Sequence, residues 1–388
     1  MIPPPILSLL EPLETFEAIR RKAARLGERL CDLSYANPYR GAQEGALAAL
    51  RDALEERRLL GLQYSPFGGT TIARRLVADA LRRSHNLPFT HRDVILTPGA
   101  MSALQIALLS AGAPGHEIII PTPCWLDYPV YVHHVGGTPI MVAPRDGTEL
   151  DLDAIAAAVT KRTRAVLLSH PANPTGRNYD RATLNSLAQA ITTRGNQPGT
   201  AITLIGDETH RDFTVPGSYH SLAGVFPRTV IVYSFGKYHF LQGQRLGYAA
   251  VSPSHPERAE LGLELERWTR VTGIATPTAL MQQAIPRLLT LNYDQSWLHH
   301  WRERLTNRLR AAGYRVAEAD ATLFVYVEAP PGFTDWGFTK LLAARGVLVL
   351  PAPVFHHSGW FRLALTGSEQ MLERALDVFE SEAVRCLA

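Results

Sequence analysis

Lysine is the scarcest charged residue in this sequence: four in 388, against thirty-five arginines. Any chemistry that needs an amine therefore has four candidates, Lys22, Lys161, Lys237 and Lys340. Cysteine is rarer still. Cys31, Cys124 and Cys386 are too few and too scattered for a disulfide framework or a four-ligand zinc site. No window approaches the ~18–20 continuous apolar residues of a membrane span. The opening run lacks a basic start and is broken by Pro3, Pro4 and Pro5, unlike a secretory signal. Excess charge is missing too: the net charge is +3 and the arginines are spread along the chain, so neither a nucleic-acid nor a membrane partner is expected. A cytoplasmic location is expected. What is abundant is apolar surface. With 46% hydrophobic and 19% charged residues, intrinsic disorder is excluded, and the length predicts about two domains.

From about residue 70 to 250, short apolar runs alternate with stretches of helical spacing. The runs at 94–96, 117–120, 140–142, 165–169, 202–205, 230–233 and 247–251 predict strands, and 100–111, 152–159 and 181–192 predict helices. Strands apolar throughout and separated by helices predict a doubly wound, mostly parallel sheet covered on both faces. After about 275 the pattern changes. A long helical stretch over 276–313 leads into strands near 323–327, 347–350 and 361–365 and a final helix over 369–386. The expected division is a large domain over 46–275 and a smaller α+β domain from 1–45 and 276–388.

In such a sheet, ligands bind beyond the carboxyl ends of the strands. Lys237 follows the 230–233 run among apolar and aromatic neighbours, surroundings that disfavour an ammonium and suit a Schiff-base lysine. A surface loop lysine would show the same local pattern. Asp207 ends another strand, where a carboxylate could bond a protonated ring nitrogen or simply cap a helix. Asn173 lies in Asn-Pro-Thr-Gly, itself a good turn sequence. Gly99 leaves a strand and opens a helix whose free N–H groups suit a phosphate. Trp125 follows a further strand; it could stack on a flat ligand or fill the core. The sequence holds no GxGxxG or GxxxxGK[ST], so neither a dinucleotide nor a nucleoside-triphosphate loop is supported. The histidine pairs lack metal-ligand spacing, so no metal is expected. Together, sites for a phosphate, a flat ring, a ring nitrogen and an aldehyde describe pyridoxal 5′-phosphate (PLP).

The order of motifs resembles the fold type I, class I/II aminotransferases, the aspartate-aminotransferase-like family. The likeness rests on Asn173-Pro-Thr-Gly176, Asp207-Glu208, and the Ser-x-x-Lys-x₅-Gly-x-Arg-x-Gly pattern from Ser234 to Gly247. It implies an α/β fold in which Lys237 forms the Schiff base and moves the proton, while Asp207 keeps the pyridine nitrogen protonated. Asn173 would bond the ring's 3′-oxygen, and Trp125 would stack on the ring. Ser234, Arg245 and the amides of Gly99, Ala100 and Met101 would hold the phosphate. Tyr64 would reach that phosphate across a homodimer interface. Arg362 would clamp the substrate α-carboxylate, a task suited to a bidentate guanidinium. Tyr35, Ala36 and Asn37 would also meet the substrate; Tyr39, His356 and Trp360 are further pocket candidates.

The departures are informative. His210 stands where the family usually has a tyrosine bonding the 3′-oxygen, and an imidazole titrates near neutrality. Gly236 precedes the lysine in place of a serine or similar residue, and Ala36-Asn37 occupies a stretch that often carries a glycine. The activity implied is transfer of an amino group between an amino acid and a 2-oxo acid. Elimination, replacement, cyclisation or oxidation on the same cofactor is the alternative that His210 raises. No arginine is singled out for a substrate side-chain carboxylate.

Overall fold

The computed structural model describes residues 2–39, 41–56, 61–195 and 201–386. Its largest sheet has seven strands: β1 (Val94–Thr97), β2 (Glu117–Pro121), β3 (Thr138–Val142), β4 (Thr163–Ser169), β5 (Thr203–Asp207), β6 (Thr229–Ser234) and β7 (Gly247–Val251). These are the seven expected runs, each within about two residues at either end. The order is β1-β7-β6-β5-β4-β2-β3, with β7 antiparallel to both neighbours and every other pairing parallel.

The side-chain alternation explains why these runs are apolar throughout. Val230 and Val232 of β6 pack on one face, with the helices Ala100–Ser110 and Arg258–Val271. Ile231 and Tyr233 pack on the other, with Thr71–His85 and Ala279–Leu288. A sheet whose central strands are buried on both faces leaves few polar positions inside them, so polar chemistry is displaced to the strand ends.

The second unit holds a three-stranded antiparallel sheet in which β10 (Trp360–Ala364) lies between β8 (Phe324–Glu328) and β9 (Leu350–Pro351). Cys31–Asp32 pairs in parallel with Val347–Leu348, tying the N-terminal segment to this unit. The helices Ser296–Ala311, Asp335–Ala344 and Glu369–Cys386 cover it. The stretch 276–313, expected as one helical pattern, forms two helices with different allegiances. Ala279–Leu288 buries Met281, Ala284, Ile285 and Leu288 in the core of the large sheet, against Ala46, Ala49 and Ala53 of Glu44–Glu55. Ser296–Ala311 buries Leu298, Trp301, Leu305 and Leu309 in the smaller core.

The proline-rich start forms the helix Pro4–Ala23. Pro4 sits in its first turn, where no N–H is required of it. Phe16, Ile19 and Ala23 anchor this helix on Tyr326, Leu348, Leu350 and Phe355.

Candidate active site

Beyond the carboxyl ends of β4, β5 and β6 lies a cavity of about 500 Å³. Lys237, Asp207, Asn173, His210, Ser234, Arg245, Arg362, Trp125, Ala100, Met101, Tyr35, Ala36 and Asn37 all line it. Of the site residues expected from the sequence, Gly99 lies just behind the wall, and Tyr64 is fully exposed and outside it. Tyr39 and Trp360 do not line the cavity, nor does His356, whose ring nitrogen bonds the Leu126 carbonyl at 2.9 Å. Trp360 is stacked on Tyr326 in the smaller core instead.

Lys237 sits in a single helical turn, Phe235–Tyr238, directly after β6. The residue is part-buried and lines the cavity. Burial, reinforced by the Arg362 and Arg245 charges and opposed by Asp207, pulls its pKa from 10.5 down to about 8. Gly236 beside it is explained by close approach. A Cβ there would stand 3.0 Å from Gln242 Cα and 3.3 Å from the Leu241 carbonyl oxygen, so a serine would push this loop outward.

Asp207 is the last residue of β5. It accepts hydrogen bonds from the Tyr128 hydroxyl at 2.7 Å and the Thr209 backbone N–H at 3.0 Å. Burial pushes its carboxyl above the usual range, while these bonds and the Lys237 charge pull it down. Sequence reasoning missed Tyr128. Its one signal was its place three residues after Trp125, and Trp125 packs edge-on against it with centroids 5.5 Å apart.

Arg362 on β10 is buried with no carboxylate partner among the described residues. It donates to Asn173 Oδ1 and to the Ser34 carbonyl, both at 2.8 Å, and lies 3.8 Å over the Phe324 ring. Its Nε has no partner among the described residues, and burial lowers its pKa to about 9. A buried cation with only neutral acceptors is costly unless an anion joins it, and a carboxylate satisfies a guanidinium in two bonds.

His210 is buried against Phe324, with ring centroids 5.3 Å apart, and its Nδ1 has no partner among the described residues. Burial and the Lys237 and Arg362 charges hold its pKa well below the ordinary value. The expectation of a group titrating near neutrality does not hold: its surroundings disfavour the charged ring.

The phosphate end is equally clear. The helix Ala100–Ser110 starts at Gly99 with no side-chain cap, leaving its first N–H groups open. Gly99 has φ +88°, and a Cβ there would stand 2.5 Å from Arg245 Nη2, so only glycine lets the guanidinium close on the helix start. Arg245 donates to the Gln242 carbonyl at 2.9 Å, and the Ser234 hydroxyl lies at the end of β6. No carboxylate pairs with Arg245 among the described residues.

The charged side chains on the wall are Lys237, Arg245 and Arg362 against Asp207 and Asp127. An anion cradle, a ring-nitrogen carboxylate, a shielded amine and an unpaired guanidinium fit PLP and an amino-acid carboxylate. Fold and site together define a fold type I PLP-dependent enzyme. The family model for aminotransferases of class I and II matches residues 31–379, and the chain belongs to that family. It is a PLP-dependent aminotransferase.

The chain is 28% identical over 373 residues to an aspartate/prephenate aminotransferase of Thermus thermophilus, covering 93% of this chain and 94% of the relative. A solved Thermus thermophilus aspartate aminotransferase double mutant superposes with a TM-score of 0.83 at 26% identity, covering 94% and 96%. An amino transferase from Eubacterium rectale, at 24% identity, shares the fold with a TM-score of 0.91 over 100% of both chains.

Proposed function

We propose that this enzyme exchanges an amino group between an amino acid and a 2-oxo acid with Lys237 as its reactive amine. The observation that carries this reading is a part-buried lysine, its pKa pulled down to about 8, sharing a single cavity with Asp207 and Arg362. Bound PLP supplies an electron sink for the substrate carbanion. Asp207, Asn173, His210 and Trp125 would hold the ring; Ser234, Arg245 and the amides of Gly99, Ala100 and Met101 would hold the phosphate. Arg362 binds the α-carboxylate and turns the Cα hydrogen toward the Lys237 amine, which removes a proton at one carbon and returns it at another. Ala36, Asn37 and Tyr35 border the substrate.

Borohydride treatment of the PLP-loaded protein should fix the cofactor on the peptide carrying Lys237; label on another lysine sinks the assignment. An amino acid added without any oxo acid should convert the cofactor to its amine form once per site. Continued turnover under those conditions refutes transamination.

The active unit is read as a homodimer. Phe67, Met101, Leu263 and Val271 are exposed, as is Tyr64, and they lie on elements packed against one another near the phosphate cradle. Light scattering tests this. The units are read as 46–275 and 1–45 with 276–388, with Ala279–Leu288 packed on the larger one. A cytoplasmic location is consistent with two buried free thiols, Cys31 and Cys124, and with no helix among the described residues long and apolar enough to cross a membrane. Fractionation tests it.

A further inference from the structure

Two departures from the family pattern, Gly236 before the lysine and Ala36-Asn37 in place of a glycine, meet at one residue, Gln242. It lies on the loop between the Lys237 turn and Arg245, in the short turn Gln242–Gln244. Its backbone occupies the space that Gly236 leaves: a Cβ on Gly236 would stand 3.0 Å from Gln242 Cα and 3.4 Å from Gln242 N. Its carbonyl accepts from the Arg245 guanidinium at 2.9 Å. Its side chain reaches the other way, Nε2 donating to the Ala36 carbonyl at 3.3 Å across 206 residues of sequence.

Ala36 belongs to the smaller unit, which pins the chain on either side of it. The Leu33 N–H donates to the Leu348 carbonyl at 2.9 Å, the Ala364 N–H to the Leu33 carbonyl at 2.8 Å, and the Tyr39 N–H to the Thr366 carbonyl at 3.0 Å. Between these pins Tyr35, Ala36 and Asn37 line the cavity. Two side chains grip this span by its carbonyls. Arg362, from the smaller unit, donates to Ser34 at 2.8 Å; Gln242, from the unit that carries Lys237 and the phosphate cradle, donates to Ala36. Both Ser34 and Ala36 are buried. A loose span would have to lose its backbone freedom when a ligand binds, and a misplaced guanidinium would turn the substrate Cα away from Lys237. A side-chain strap that orders the span beforehand removes both penalties.

We propose that Gln242 is a positioning residue: its carboxamide straps residues 34–37 to the loop that follows Lys237, and through the Ser34 carbonyl it sets Arg362 for the substrate α-carboxylate. The strap acts on the part common to all amino acids, so its effect is the same whatever side chain the substrate carries. The inference rests on the reading that Lys237 and Arg362 fix the reacting end of the substrate.

The test uses the PLP-loaded full-length protein and two probes without an α-hydrogen: 2-aminoisobutyrate, and tert-butylamine, in which a methyl replaces the carboxylate. Their binding is followed by the shift they cause in the absorbance of the bound cofactor. Wild type should prefer 2-aminoisobutyrate, because only that probe engages Arg362. Q242M keeps the side-chain length and removes the donor; Q242A removes both, and the two variants should behave alike. Losing one hydrogen bond should weaken 2-aminoisobutyrate by roughly fivefold, with tert-butylamine and PLP affinity held within about twofold. The melting temperature should stay unchanged in Q242M. Unaltered 2-aminoisobutyrate binding in Q242M, or a parallel loss for both probes and PLP, overturns the strap and leaves the aminotransferase reading intact. A Q242M that matches wild type while Q242A fails assigns Gln242 to packing and overturns it equally. If wild type shows no preference between the probes, or PLP does not attach to Lys237, the proposal falls together with the reading beneath it.

Discussion

Replacing His210 by phenylalanine should move two properties in opposite directions. The imidazole carries a buried Nδ1 with no partner among the described residues, and its ring packs on Phe324 and Phe213 with centroids 5.3 and 6.1 Å away. A phenyl ring keeps that packing and removes the unsatisfied nitrogen, whose burial costs on the order of 1–3 kcal/mol. Cofactor-free H210F should therefore be more stable than wild type. With an unfolding entropy of roughly 2 cal/mol/K per residue, a 388-residue chain melting cooperatively has ~0.8 kcal/mol/K. A gain of ~1–2 kcal/mol then raises the melting temperature by ~1–3 °C. The cofactor-loaded protein should lose instead. Removing one buried hydrogen bond and leaving the cofactor's acceptor unpaired costs ~1–2 kcal/mol, or about tenfold in Kd. Differential scanning calorimetry without PLP and absorbance titration with PLP give the two numbers. If stability and PLP affinity fall together, or affinity is unchanged, His210 is a packing residue and its role at the ring is refuted.

Three further outcomes follow from the same geometry. Lys237 must be neutral to attack an aldehyde, so the rate at which the cofactor-free protein captures PLP should rise with pH around a midpoint near 8, not 10.5. Between those values the folded chain holds fewer protons at this lysine than the unfolded chain, so this group's contribution to stability should also rise with pH across that window. Tyr128→Phe removes the 2.7 Å donor to Asp207, which destabilises the carboxylate and should slow turnover by ~10-fold or more with little change in melting temperature; equal activity would refute the coupling. In Gly247→Ala the new Cβ would stand 2.4 Å from the Tyr233 carbonyl oxygen and 2.7 Å from the Gly99 carbonyl carbon. The strand must shift at the cradle, so a loss of ~3 kcal/mol or more in urea unfolding is expected. Gly243→Ala, with nothing within 4 Å, should be nearly neutral.

Much of this was readable from the chain because the sheet is buried on both faces. Strands such as β5 and β6 appear as apolar runs, and the chemistry sits at their carboxyl ends, where Asp207 closes one and Lys237 follows the other. What escaped depends on contacts across long separations. Tyr128 and Asp207 are 79 residues apart, and nothing near Tyr128 announces its partner. The helix Pro4–Ala23 was masked because prolines read as breaks, although in a first turn they need no N–H. The single helical pattern over 276–313 hid a change of allegiance between two cores, because periodicity records that a face is buried and not against what.

The same limit explains why specificity lies deeper than the chemistry. The residues that would hold PLP must supply fixed atoms to a fixed ligand, so their types and spacings recur and can be recognised. The side-chain end of the pocket is assembled from Leu13, Tyr35 and Asp127, residues of no shared motif brought together by the packing of the N-terminal helix. Asp127 lines the cavity, and its side chain makes no capping bond to the helix it precedes. Among the described residues, Arg362 is a buried cation held only by neutral acceptors. Residues that meet a variable substrate carry no recurring pattern, and only the packing assigns them to the wall.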